Sequence, residues 1–444
     1  MFLIAIGIFE LGSLICGVAN NSITLIIGRA IAGIGSAAIF SGALIILAYS
    51  VPLERRPLYT GLVGSMYGIA SVAGPLLGGA FTDYVTWRWC FYINLPIGAV
   101  SVVVIALFFP DPNRTVTNDD TLRQRIMRFD PFGTIVFMPG IISLLLALQW
   151  GGTEYEWNSW RIILLFVFFG VLMIAFCFFQ WKQQDLGTVP PRIFFKRSVW
   201  APGFFSFSLG AAFLGSIYYL PIWFQAVKGA SAVDSGIMNL PMLIAVVVIS
   251  IFAGGAVTYF GYYTPFMIVS AVFTAVGYGL LTTFQPDTPS PVWIGYQILT
   301  GAGIGFGMQQ PLMAVQTVLD MEDVPTGTAV IIFMQTLGGA LFVSIAQNIF
   351  ANGLVDNIAK YVPEIPVPEM ILAVGATSVQ KKDFQFPGLQ VPWEDVLPGV
   401  TQAYNDALTK TFIVFTAMAA LSIIGAVLTE WKSVKGKNVE MALA

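Results

Sequence analysis

The chain is predicted to be an all-α protein that crosses a lipid bilayer twelve times, and three observations predict it. Hydrophobic residues make up 57% of the 444 residues and charged residues 10%, with a mean hydropathy of +0.79, which is not the composition of a soluble domain. Twelve apolar stretches approach or exceed the ~20 residues that a helix needs to cross a bilayer. Their hydrophobicity is continuous, without the ten-residue alternation that marks a membrane barrel.

The first stretch, about 2–19, starts directly at Phe2-Leu3-Ile4-Ala5-Ile6 and carries Glu10, the only acid near the middle of any stretch. A tight turn at Ala19–Ser22 leads to the second, about 23–48, with Arg29 inside Gly28-Arg29-Ala30-Ile31-Ala32-Gly33-Ile34-Gly35. The third, about 60–80, is studded with Gly61, Gly64, Gly68, Gly74-Pro75 and Gly78-Gly79. Glycines at such spacing strip one helix face and let another backbone approach in lipid, and the proline removes a donor and bends the helix. The fourth, about 93–109, emerges from Trp87-Arg88-Trp89-Cys90-Phe91-Tyr92-Ile93-Asn94-Leu95-Pro96, and the fifth and sixth, about 132–150 and 162–181, follow Asp130-Pro131-Phe132-Gly133. After a polar stretch at 182–202 come six more, about 203–224, 236–258, 265–284, 293–317, 327–349 and 411–429. The 350–410 connection is the only sizeable region outside the membrane. Pro363, Pro366 and Pro368 break helices there, and Val400–Lys410 is expected to form a short amphipathic helix. Trp150, Trp157, Trp160, Trp181, Trp200 and Trp293 fall at stretch ends as interfacial anchors.

Lysine and arginine placement sets the orientation. With residue 1 inside, the inner segments hold thirteen basic residues (Arg55, Arg56, Arg114, Arg123, Arg125, Arg128, Lys182, Arg192, Lys196, Arg197, Lys432, Lys435 and Lys437) and the short outer loops hold Arg88, Arg161 and Lys228. Both termini are therefore expected in the cytoplasm. The net charge of −3 and the lack of a basic domain give no reason to expect nucleic acid. Cys16, Cys90 and Cys177 are scattered and fit neither a metal site nor a disulfide framework. There is no histidine, so a proton carrier would have to be a carboxylate. Gly301-Ala302-Gly303-Ile304-Gly305-Phe306-Gly307 lacks the order of a nucleotide loop and reads as helix packing. No G-x-x-x-x-G-K-[ST] sequence is present, and no cofactor is expected.

The third stretch resembles the antiporter motif of the major facilitator superfamily, G-x8-G-x3-G-P-x2-G-G, with Gly61, Gly74, Pro75, Gly78 and Gly79 in place and Ala70 replacing one glycine. Trp-x-Trp-x-Phe-x-Ile-Asn-x-Pro after it is similar to the next landmark of the fourteen-helix drug:proton antiporter branch. Tyr218-Tyr219-Leu220-Pro221-Ile222-Trp223-Phe224-Gln225 and Gln335-Thr336-Leu337-Gly338-Gly339 extend the likeness to that branch's fungal toxin-efflux members. The Arg29 motif normally sits on the fourth helix and the Gly-Pro motif on the fifth. Here they occupy the second and third stretches, so the chain reads as helices three to fourteen, in a 4 + 2 + 6 arrangement. The expected bodies are a truncated four-helix bundle at 1–110, a central linker with two extra transmembrane helices at 111–198, and a six-helix bundle at 199–444 with the long extracellular loop 350–410.

What the resemblance implies is proton-driven export of a secondary metabolite, toxin or drug across the plasma membrane by alternating access, with the vacuolar membrane as the other location. It implies a monomer, with protons, lipid and a small organic molecule as partners and no enzyme activity. The alternatives are a non-transporting remnant of such a carrier and a siderophore or other solute transporter of the same fold. Arg29 is assigned to proton coupling. A mid-bilayer arginine costs roughly 2.5–3.5 kcal/mol, so it should face a cavity or partner, or else snorkel to the surface. Glu10 is the proton-carrier candidate, against a structural hydrogen bond to Arg29 across the turn. Tyr218, Tyr219, Trp223, Asn239, Gln309, Gln310, Gln316 and Gln335 offer a cavity face of rings and amides suited to bulky amphipathic molecules, each with ordinary packing as its other reading.

Overall fold

The computed structural model describes residues 2–108, 130–368, 370–380, 386, 389 and 391–435. Thirteen helices carry the architecture: α1 (Phe2–Gly17), α2 (Ser22–Ser50), α3 (Arg56–Tyr84), α4 (Asn94–Phe108), α5 (Pro131–Trp150), α6 (Trp160–Gln183), α7 (Arg197–Lys228), α8 (Leu240–Phe260), α9 (Thr264–Leu281), α10 (Ser290–Gly307), α11 (Gln310–Val318), α12 (Val324–Tyr361) and α13 (Trp393–Leu428). Among the described residues no β-strand occurs, only two isolated bridges. Among the described residues nine helices are long and apolar enough to cross a membrane, against the twelve expected. The remaining crossings are α1, only 16 residues long, and α3 and α10, whose apolar residues are diluted by glycine, tyrosine and other polar side chains.

Helices α7–α13 form one bundle. In it α7 packs on α12 and α13, α9 on α10 and α13, and α8 on α10. Close approach in lipid needs small residues at the crossings, and they are there. Gly301 and Gly305 lie on the α8 carbonyls of Met242 and Val246, Gly303 on the backbone of Thr274, and Gly307 on Ser270. The 301–307 run is thus a packing stripe.

At the front, α1 and α2 pair antiparallel through Gly12 on Ala32, Gly28 on Cys16 and Gly35 on Phe9. The glycines flanking Arg29 therefore belong largely to the α1 interface. Helix α3 leaves this group and packs along α8, Gly61 lying on the Ser250 carbonyl and Gly254 on that of Pro57. The pair α5–α6 forms a hairpin that rests on α12, with Phe137 against Phe333 at 5.3 Å and the Asn348 amide donating to the Leu148 carbonyl at 2.5 Å.

The 350–410 connection is shorter than expected, because α12 runs on to Tyr361 and α13 starts at Trp393. Residues 362–392 are what joins them. Phe350, Leu354 and Ile358 recur every four residues, as do Val396, Val400 and Tyr404, and all are buried in one cluster. Helical extensions thus continue the bundle core instead of ending at the membrane. The segment from Val400 belongs to α13 itself. The end of the connection is tied back to the bundle: Trp393 Nε1 donates to the Val379 carbonyl at 2.9 Å, and Gln380 donates to Ala226 and Thr401 at 2.6 and 3.1 Å. Of the tryptophan anchors, Trp160 and Trp181 are well exposed, whereas Trp293 is 8% exposed and packs against Phe224 at 5.0 Å, making it a core residue.

Candidate functional site

The α10–α11 crossing is interrupted nearer its α11 end. Pro311 has no N–H to offer the Gly307 carbonyl, and Met308 and Gln309 form a turn between the two helical pieces. Gln309 lies nine residues before the end of α11 and Gly64 eight residues into α3, so each is ~12–14 Å from that end at ~1.5 Å per residue. The Gln309 amide rests directly on Gly64, where an added Cβ would overlap it. Gln309 and Gln310 are 5% and 2% exposed, and the Oε1 atom of each is buried without a hydrogen-bond partner. Ser250 closes the third side of this seam, donating to the Gly305 carbonyl at 3.3 Å. An interrupted helix that carries an unsatisfied amide onto a glycine of the opposing body is an arrangement that transporters use to hold solutes. A buried amide without a partner costs ~1–3 kcal/mol, which a hydrogen-bonding ligand would offset.

A second constellation lies at the front. Glu10 points from α1 onto α4, its carboxylate filling the space beside Gly98, with Oε2 buried and unpartnered. One turn along, Asn94 Nδ2 donates to Ser13 Oγ at 3.1 Å, and Arg88 ties the turn after α1 by donating to the Ala19 carbonyl at 2.9 Å. The hydrogen bond to Arg29, the alternative reading of Glu10, is not formed among the described residues. In the α1–α2 register Glu10 is level with Ile34, five residues or ~7.5 Å from Arg29 along the axis, and it faces α4, not α2. Arg29 is exposed, with no ion pair among the described residues.

The aromatic candidates separate by face. Tyr219 and Trp223, four apart on α7, point into the bundle. Trp223 is fully buried, packs at a tilt against Phe284 with ring centroids 4.4 Å apart and donates to Asn405 Oδ1 at 2.9 Å, while Tyr219 donates to the Val343 carbonyl at 3.2 Å. They are core residues with satisfied polar tips, not cavity walls. Tyr218 turns the other way and is 58% exposed. Asn239 sits ahead of α8 with Oδ1 buried and unpartnered, and Gln316 is buried in α11 with neither amide atom partnered. Gln335 is half-buried on α12, its backbone pressed on Gly210. In α3, Gly61 and Gly64 are packed, whereas Gly74 and Gly78 face open space; the surroundings of Pro75 and Gly79 lie outside the described side chains.

With this geometry in view, the sequence model of the Major Facilitator Superfamily matches residues 1–343. The chain belongs to this superfamily. Among curated relatives, the MFS-type efflux pump MFS1 of Arthroderma benhamiae is 58% identical over 444 residues, covering all of this chain and 81% of that protein. The Aspyridones efflux protein of Neocamarosporium betae is 50% identical over 440 residues, 99% of this chain and 76% of its own length. Among solved structures, the human organic anion transporter MFSD10 (TETRAN) superposes with a TM-score of 0.53 at 12% identity, over 94% of this chain and 76% of that one, which is a likeness of fold. The major facilitator fold and an integral membrane location follow from the family match and the apolar helices.

One residue of this major facilitator chain escaped the sequence reading as a structural centre. Asp130 is 1% exposed and accepts from Gly133 N at 2.8 Å, Gln180 Nε2 at 2.6 Å, and Thr188 N and Oγ1 at 2.9 Å each. It caps α5 and fastens both ends of the α5–α6 hairpin to the segment leading into α7. Burial works against its charge, but the Thr188 and Gly133 backbone donors, with the Gln180 and Thr188 side chains, outweigh it and hold the carboxyl below the usual range. Asp-Pro-x-Gly is a cap followed by Pro at the first helical position, the signal by which it was legible.

Proposed function

We propose that this chain exports small amphipathic organic molecules by alternating access, driven by protons moving the opposite way. The observation that carries this is the interruption between α10 and α11, which sets the Gln309 amide against Gly64 on the glycine face of α3. Relatives named as efflux pumps, one of them for aspyridones, support export and an organic cargo. Rings and amides without fixed charge accept such a cargo better than sugars or ions. Gradient coupling is energetically sufficient: ~100 mV supplies about 2.3 kcal/mol per proton and one pH unit about 1.4.

In this reading Glu10 carries the proton, Arg29 supports coupling, and the Gly61–Gly79 face of α3 sets how the bodies meet. The bodies are the four front helices, the α5–α6 pair and the six-helix half. Both termini lie in the cytoplasm, the membrane is the plasma membrane, the working unit is a monomer, and the chain binds no nucleic acid. It acts as a carrier, with no bond made or broken, and so is not an enzyme.

The test uses vesicles carrying the folded chain under an imposed pH gradient, with uptake of a panel of amphipathic aromatic dyes including rhodamine 6G. Protonophore-sensitive accumulation that Gln309→Leu reduces at least tenfold supports the proposal. Accumulation indifferent to the protonophore removes the coupling, and no accumulation of any dye removes the export reading.

A further inference from the structure

Asp320-Met321-Glu322-Asp323 joins α11 to α12 and is gripped from two directions. Tyr49, near the end of α2, donates its hydroxyl to the Met321 carbonyl at 3.0 Å. Arg192, in the segment before α7, holds Asp323 through bonds of 2.8 and 3.0 Å and Asp185 through one of 2.8 Å, with Lys196 Nζ 4.0 Å from Asp323.

Against the same Met321 lies Arg56, the first residue of α3 and only 2% exposed. Its Nε donates to the Val51 carbonyl of its own turn at 2.9 Å. Its Nη2 reaches only the Met321 thioether, at 3.8 Å, a weak acceptor. Its Nη1 is buried with no partner, and among the described residues no carboxylate pairs with it. Glu54 lies two residues before Arg56, and Asp320 and Glu322 flank Met321, yet all three are exposed. A guanidinium kept dry without a counter-charge is costly, and an apolar residue of similar volume in its place commonly stabilises. The front helices and the six-helix half touch here, and α3 is packed at this end but open at Gly74 and Gly78.

We propose that Arg56 is the built-in opener of a clasp between the front helices and the six-helix half. The Tyr49–Met321 hydrogen bond closes the clasp, Arg192 keeps the 320–323 turn in position to receive it, and the unpaired guanidinium, which regains water when the clasp parts, makes the closed arrangement costly enough to reopen. The inference rests on the alternating-access reading only for the existence of two states.

The test reads the gate without any transported compound, so its failure is separable from that of the export reading. In a background of Cys16→Ser, Cys90→Ser and Cys177→Ser, a reporter Thr60→Cys, buried one turn beyond Arg56, is labelled in vesicles with a membrane-impermeant maleimide. Arg56→Met is expected to slow labelling about tenfold, and Tyr49→Phe to speed it severalfold. A second reporter, Ser422→Cys, buried in α13, should label equally slowly in every variant, which separates gate opening from unfolding. Labelling that is unchanged or faster in Arg56→Met overturns the role as opener, and labelling not accelerated in Tyr49→Phe overturns the clasp.

Discussion

At Gly64 the absence of a side chain is what lets the Gln309 amide lie on α3, so Gly64→Val should displace it. Dye uptake is expected to fall at least tenfold at normal protein level, while Gly33→Ala, where nothing lies within 4 Å, should leave uptake unchanged. Asp130 gives a prediction of opposite kind, stability without transport chemistry. Asp130→Asn keeps a residue tolerant of its positive φ of 45° but turns an amide nitrogen toward donors. A loss of about 3 kcal/mol is expected, read as a lower midpoint of thermal unfolding in detergent. Since the folded carboxyl is held below its usual range, its stabilisation is present above the unfolded pKa near ~3.9. It is lost as pH falls through the folded value, and the Asn variant should lack that acid-side decline. Both residues were named from sequence, yet only contacts revealed their work. A glycine's significance is what approaches it, and a capping Asp gives no hint of the Gln180 and Thr188 groups, fifty and more residues away, that complete it.

Whether α10 and α11 make one helix or two is decided by Pro311. Pro311→Ala restores the missing donor and should let the helix run straight, turning Gln309 off α3. Uptake should fall while thermal stability holds or rises, because a proline inside a helix costs ~3 kcal/mol; uptake unchanged by Pro311→Ala would separate the break from transport. Helical stretches were readable because most of the apolar runs are long and continuous. Their ends were less so. Hydropathy falls at 350, but the four-residue apolar spacing through Phe350, Leu354 and Ile358 carries α12 on to Tyr361 before Pro363. Likewise the α7 aromatics were visible as a group, while the division between buried Tyr219 and Trp223 and exposed Tyr218 depends on which neighbours α7 meets.

At the scale of the whole molecule, charge placement puts Arg56, Arg192, Lys196 and Lys432 on one side, and the structure brings Arg56 and Arg192 together at the 320–323 turn. Tags at the two termini should therefore both be cleaved by protease in inside-out vesicles and protected in right-side-out ones; opposite accessibility would refute the orientation. By itself the sequence determined that this chain is a bundle of membrane helices of the major facilitator kind, because hydropathy, glycine spacing and the Gly-Pro and Trp-Arg-Trp landmarks are local properties of contiguous residues. Only the tertiary structure decided which glycines bear a neighbour, that Glu10 meets Gly98 instead of Arg29, and that a dry arginine underlies the 320–323 turn. Each of these is a pairing across helices distant in the chain, and in lipid such pairings are set by close packing and hydrogen bonding, which leave no periodic mark in either partner.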